Sequence, residues 1–350
     1  MLIRLVIFAS IVHVFDRVVS LESEVVFRRK PKRFLGNHVI KISKTRSEFD
    51  CGYACADEPE CVSVNFKVKG ENEGLCELNS RSLKESPEEV RSDEEYVYLE
   101  VLTRSCNENE EFSEETKKCK QFFNSCKDAL TKHENSTDGI YRLKSNTSGE
   151  YYDVFCHMTD IETCGTGGWT LVMKLDGNKN TFIHNSPLWT NNETYAIQDG
   201  LEGLTEKESK LASYWNTLFT KICQGMKYNG ETNWINLNYS ASSLFSVIAD
   251  GKFRATTAGR AAWKSLMAGS SLQYNCNKEG FNVPLNKKNR KIRLGIVANN
   301  QEHCDSCDSW LGLSILDDTY HEVCGNTAIC CFNSDNGNKT IKAFGYILVH

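Results

Sequence analysis

Sixteen cysteines in a chain of 350 residues constrain this protein more than any other feature. They fall into three groups, at 51, 55, 61 and 76, at 106 and 119, and at 126, 156, 164, 223, 276, 304, 307, 324, 330 and 331. Each group is even, so each can close its own bridges, and the total suits eight disulfides formed in an oxidising compartment. The grouping predicts a small N-terminal unit, a short stapled connector and a large C-terminal unit. A unit of roughly 200 residues buries a sizeable core without help from metal or oligomer. Between the first two groups, ESPEEVRSDEE at residues 85–95 carries like charges that predict a solvated loop.

The N-terminus agrees with that compartment. Residues 1–20 carry Arg4, an apolar stretch from Leu5 to Phe15, and Val18 and Ser20 at the small-residue positions of a cleavage site. This predicts a secretory signal peptide cut after Ser20. The apolar stretch is shorter than the ~20 residues of a span, and Asp16 and Arg17 interrupt it, so no membrane anchor is expected. N-glycosylation sequons stand at Asn135, Asn146, Asn192, Asn238 and Asn338 and predict surface loops. The net charge of −5 is too mild to point to a nucleic-acid partner.

In the first unit, FDCGYACADEPEC places Cys51 and Cys55 on one face of a helix. Alternating stretches at 38–43, 62–68, 76–78 and 96–101 supply a small antiparallel sheet. The expected bridges are Cys51 with Cys76 and Cys55 with Cys61, though four cysteines admit three pairings and spacing alone does not choose. The C-x3-C-x5-C spacing, SVNFK and GLCELN make residues 21–103 resemble the PAN/apple family. Within them, FRRKPKRF at 27–34 reads as a protease site at 28–33, an anionic-surface patch, or the exposed face of a first strand, with Pro31 favouring an edge. Residues 104–125 form the acidic connector, with Cys106 and Cys119 as its staple.

Residues 126–175 run SCKDAL, DGIYRLKSNTSGEYYDVFCHM and CGTGGWTLVMKL. Two short strands lead to Cys156, which Cys126 is placed to staple. Gly165, Gly167 and Gly168 then allow a sharp turn into a strand that alternates from Trp169 to Asp176 and is expected to be half-buried. Helices are predicted over 205–214, 240–249 and 256–267, and strands over 292–298 and 343–349. This opening resembles the start of fibrinogen C-terminal-like domains, an opening shared with intelectin-like lectins. The resemblance implies a larger α+β domain over 126–350 following a disulfide-stapled PAN/apple domain. The whole chain resembles secreted cnidarian proteins that include coral skeletal organic matrix proteins, which implies an extracellular location.

Fibrinogen-like domains often bind calcium through aspartates late in the chain, so the resemblance points to Asp305, Asp308, Asp317 and Asp318 as ligands. It also makes Trp310 and Tyr320 candidates for a ligand cleft. Asp335, Asn336 and Asn338 offer further oxygens on a glycine turn. Cys304 and Cys307 form a C-x-x-C, but with no second such pair at zinc spacing they are expected in two structural bridges. Histidines are scattered, and neither G-x-S-x-G nor H-E-x-x-H occurs. The expectation is a non-enzymatic matrix glycoprotein with matrix proteins or glycans as partners; the alternative is a calcium-dependent defence lectin.

Overall fold

The computed structural model describes residues 2–8, 22–106, 110–113, 115–133, 135–145, 148–285, 291–316, 323–328 and 333–350, with backbone alone at 2–8 and 22–24. The chain divides into two compact units, Met1–Phe122 and Phe123–His350.

The first unit is one antiparallel sheet under one helix. Its strands are β1 (Leu2–Phe8), β2 (Glu22–Leu35), β3 (Val39–Lys44), β4 (Ser63–Lys67), β5 (Leu75–Asn79) and β6 (Val90–Arg104), in the order β1-β2-β6-β4-β5-β3. Helix α1 (Glu48–Ala56) starts at Ser47, whose hydroxyl accepts the amide of Asp50. Cys51 and Cys55 are buried on its inner face; Cys51 bridges Cys76 of β5, and Cys55 bridges Cys61. They join Phe27, Val64, Leu78 and Leu99 in a single core. Arg104 is buried too, and its guanidinium donates to the carbonyls of Cys55, Glu58, Pro59 and Cys61, which ties the strand end to the helix exit. A hairpin of β7 (Glu110–Ser113) and β8 (Lys118–Gln121) follows, closed by Cys106–Cys119.

The acidic stretch at 85–95 departs from the solvated loop expected of it. From Val90 it is strand β6, paired with β2 through Leu35↔Val90, Phe34↔Arg91 and Arg33↔Ser92. Basic partners supply the reason: Lys32 of β2 meets Glu94 at 2.7 Å, and Lys67 of β4 meets Glu95 at 3.0 Å. Opposite charges across the ladder remove the repulsion that each run has alone. The stretch read as a leader contributes β1, and a cut after Ser20 would leave β2, with its Pro31, at the sheet edge.

The second unit opens with α2 (Cys126–Lys132), β9 (Gly139–Lys144), β10 (Tyr151–His157) and β11 (Trp169–Asp176). It continues through α3 (Ile197–Leu201), β12 (Ser209–Lys210), α4 (Ser213–Asn216), β13 (Phe219–Tyr228), β14 (Glu231–Ala241) and α5 (Leu244–Ile248). It closes with β15 (Arg254–Ala255), α6 (Arg260–Ser265), β16 (Asn275–Pro284), β17 (Lys291–Asn299), β18 (Ser309–Leu316), β19 (Cys324–Ala328), β20 (Lys339–Lys342) and β21 (Phe344–Val349). One sheet runs β14-β13-β21-β11-β10-β9, with β12 on β11; the other runs β15-β16-β17-β18-β19-β20. Both are antiparallel. Short helices and long sheets give the mixed α+β class.

Strand β11 is buried on both faces, not one. A bulge between Leu171 and Met173 divides it. Trp169 and Leu171 pack with Cys126, Cys156 and Leu348, whereas Val172, Met173 and Leu175 pack with Trp189, Phe219 and Trp263. At its entry Gly168 takes φ +88°, and a Cβ on Gly167 would stand 1.7 Å from the Met158 carbonyl oxygen. Only glycine lets the chain pass there. Cys126 bridges Cys156, and Cys164 bridges Cys223 on β13.

The three predicted helices shrink, each for a local reason. Over 205–214 the chain instead forms β12, because Ser209 and Lys210 complete the edge of β11. Over 240–249 the helix begins at Leu244, where Ser243 and Ser246 form a reciprocal cap. Over 256–267 it begins at Arg260, because Glu279 collects the Thr256 hydroxyl, the amides of Ala258 and Gly259, and the Trp263 indole N–H.

Candidate functional site

The late-chain region that the sequence singles out is built on the β17–β18 connection, residues 300–308. Asn299 sets its path by donating to the His303 carbonyl at 2.6 Å, and Asn275 donates to the Asn300 carbonyl at 2.8 Å. The amide of Cys307 reaches Leu285 O at 2.9 Å, and that of Asp308 reaches Ala298 O at 3.2 Å, so the chain re-enters the sheet there. Asp305 is exposed on the connection and Asp308 is half-buried, with its carboxylate 3.4 Å from the Gln273 side-chain amide. Asp317, Asp318 and Tyr320 lie outside the described residues, as do Asn146, Cys330 and Cys331.

Trp310 does not line a cleft. It is 2 % exposed on β18 and packs with Val283, Ile292, Val297 and Ile315 in a small separate core. Strand β18 is buried on both faces, with Leu311 and Leu313 in the main core and Trp310 in the smaller one. Asp335 is likewise committed. It accepts from Arg260 Nη2 at 2.7 Å, from Lys264, and from the Leu272 amide at 3.1 Å. Burial pushes its carboxyl up, and these donors outweigh that and leave it below the usual range. Such a carboxylate anchors the turn at 333–337 to α6 rather than offering oxygens to a cation.

Three sulfurs meet beneath the connection. Cys276 bridges Cys304, and the Cys307 sulfur lies 3.7 Å from that of Cys276. Cys307 is a buried free thiol, which corrects the expectation that both cysteines of the C-x-x-C are bridged: Cys276 can bond only one of two neighbours. Burial foremost, then the nearby carboxylate of Asp308, pushes the Cys307 thiol up to about 12. Cys276 itself holds φ +68° and Asn277 φ +50°, in a bulge that shifts the register of β16 against β17.

Three buried cations were invisible to sequence reasoning. Lys174 donates to Asp199 O, Gly203 O and Thr205 Oγ1, at 2.6, 2.8 and 2.8 Å. Lys210 donates to both oxygens of Asn191 and lies 4.6 Å above the Tyr214 ring. Burial brings both ammonium groups down to about 8. Arg293 donates to His184 O, Asn282 Oδ1 and Ile248 O. Each spans chain segments far apart in sequence, so no local pattern marks it.

One histidine stands in a triad-like order. His157 Nδ1 lies 2.8 Å from Asp138 and its Nε2 3.1 Å from Thr159 Oγ1, but the first contact lacks hydrogen-bond alignment. Asp138 Oδ1 meanwhile accepts the amides of Met158 and Thr159, so the cluster clasps the end of β10. A cleft of about 240 Å³ lies elsewhere, lined by Lys127, Gly168, Thr217, Leu218 and His350. The asparagines of four sequons, Asn135, Asn192, Asn238 and Asn338, are exposed.

Among the described residues no helix is long and apolar enough to cross a membrane. The family model of the PAN domain matches residues 26–103. Among solved structures, the fibrinogen-like globe domain of human ANGPTL2 is similar at 24 % identity and a TM-score of 0.25, over 33 % of this chain and 50 % of that one. The match thus spans about half the length of that domain. No curated protein matches the chain. A PAN domain with many disulfides fits an extracellular protein of adhesive or lectin-like type.

Proposed function

We propose that this chain is a secreted, non-enzymatic glycoprotein of the extracellular matrix that acts by adhesion through its two stapled units, with matrix proteins or glycans as partners. The observation that carries the reading is the exposure of Asn135, Asn192, Asn238 and Asn338, all four on one disulfide-closed unit. Exposed acceptor sites on a bridged unit suit passage through the secretory route. The motif resemblance to coral skeletal organic matrix proteins extends the proposal to a calcified skeleton. Committed side chains support a non-catalytic role: Asp138 and His157 clasp a strand end, and Asp335 is consumed by Arg260 and Lys264.

A calcium-dependent lectin is the second reading, favoured by the exposed carboxylate of Asp305 on the β17–β18 connection. Calcium takes hard oxygen ligands, six to eight of them, and Asp305 and Asp308 would contribute two. Expression in a secreting eukaryotic cell tests the first reading. The protein should appear in the medium and lose mass on treatment with peptide N-glycosidase; retention inside the cell without glycans would overturn it. Calorimetric titration of calcium into the chelator-treated chain tests the second. Stoichiometric heat that disappears in the Asp305→Ala, Asp308→Ala double variant supports a lectin site, and absence of heat removes it.

A further inference from the structure

Cys307 is a buried thiol whose sulfur lies 3.7 Å from a disulfide sulfur, and the proposed adhesive role leaves it without a task. We propose that Cys276, Cys304 and Cys307 form a disulfide-exchange site that can present the Cys304 thiol at the surface for covalent linkage to an accessible disulfide of another extracellular molecule. The geometry supplies proximity: the three sulfurs lie within 4.8 Å of one another, a compact triangle that must open into line for the attack. The Cys307 sulfur lies 3.7 Å from the Cys276 sulfur, the atom it must attack. Cys276 occupies a left-handed backbone position inside a bulge, where the ladder is already broken. Cys304 is half-buried on a connection whose residues 301–303, 305 and 306 are exposed, whereas Cys307 is buried. The bond therefore migrates from an outer partner to an inner one.

The step balances within the protein. Cys307 gives its proton to solvent, and its thiolate attacks the Cys276 sulfur. The Cys276–Cys304 bond breaks, and Cys304 leaves as a thiolate. One thiol and one disulfide exist before and after, so no oxidant or reductant is consumed. In the second step the Cys304 thiolate attacks a partner disulfide, forms a mixed disulfide, and releases one partner sulfur as a thiol. Burial keeps Cys307 protonated at rest, so exchange waits on brief opening of the 300–308 connection.

Oxidised glutathione serves as the probe disulfide on the secreted full chain at mild alkaline pH, followed by acid quenching and peptide mapping. The expected product carries glutathione on Cys304 together with a Cys276–Cys307 linked peptide. In Cys307→Ser the Cys304 adduct should fall at least about tenfold, since the attacking sulfur is gone. In Cys304→Ser the chain should be secreted with Cys276 linked to Cys307. Glutathione confined to Cys307 with Cys276–Cys304 intact, or no adduct on either residue, would overturn the proposal. So would a secreted Cys304→Ser chain in which Cys276 and Cys307 both react with iodoacetamide.

Discussion

Buried cations that donate to no carboxylate shape the stability of the C-terminal unit residue by residue. Arg293, Lys174 and Lys210 donate to carbonyl, amide and hydroxyl oxygens rather than to carboxylates. Lys174→Met leaves three oxygen acceptors without their donor, and the cost should be about 1–3 kcal/mol in a denaturant titration. His184 gives a pH dependence. Burial foremost, then the charge of Arg293, holds its imidazole down to about 4, below its ordinary 6.5. Above pH 6.5 both folded and unfolded forms are neutral there and stability is whole. As pH falls from 6.5 toward 4 only the unfolded chain takes up the proton, so up to about 3 kcal/mol is lost. His184→Gln should flatten that part of the stability profile, and an unchanged profile would contradict the assignment. Gly167→Ala should block secretion of folded protein, because its Cβ would meet Met158 O at 1.7 Å. The glycine turn was legible as GTGG before a tryptophan. The cations were not, because their partners lie 11 to 109 residues away in the chain.

Among elements, disulfide loops rank the staples. Cys164–Cys223 closes 59 residues, Cys51–Cys76 closes 25, and Cys55–Cys61 closes 6. Loop-closure entropy predicts that replacing both cysteines by alanine costs about 4, 3.5 and 2 kcal/mol in that order. Thermal unfolding of the three variants checks the order, and equal costs would show that native strain or residual structure, not loop length, governs. Strand positions are legible because period-two alternation is local: VIKIS, SVNFK and IRLGIVA fall on β3, β4 and β17. Helices were overread. Their starts are set by tertiary partners such as Glu279, which holds residues 256–259 out of α6. The acidic run at 85–95 was misread because its charges find their partners on β2, β4 and the loop after β4. Glu279→Ala should therefore destabilise the unit by about 2–3 kcal/mol, with four donors left unpaired, measured as a shift of the denaturant midpoint.

At the scale of the whole molecule, cysteine grouping predicted a small stapled unit before a large one, and residues 26–103 match the PAN domain. The candidate site was less legible. Asp305 is exposed, yet Trp310 is core and Asp335 is an anchor, because position in the sequence alone does not tell an exposed side chain from a committed one. The adhesive reading rests on exposed acceptor sites and committed polar groups instead. The most direct measurement applies the secreted, glycosylated full chain to a glycan array and to decellularised extracellular matrix, each with and without chelator. Retention on matrix that survives the chelator, with no sharp signal on glycans, is the result predicted. Strong glycan binding that vanishes with the chelator would contradict the matrix account and establish the lectin in its place.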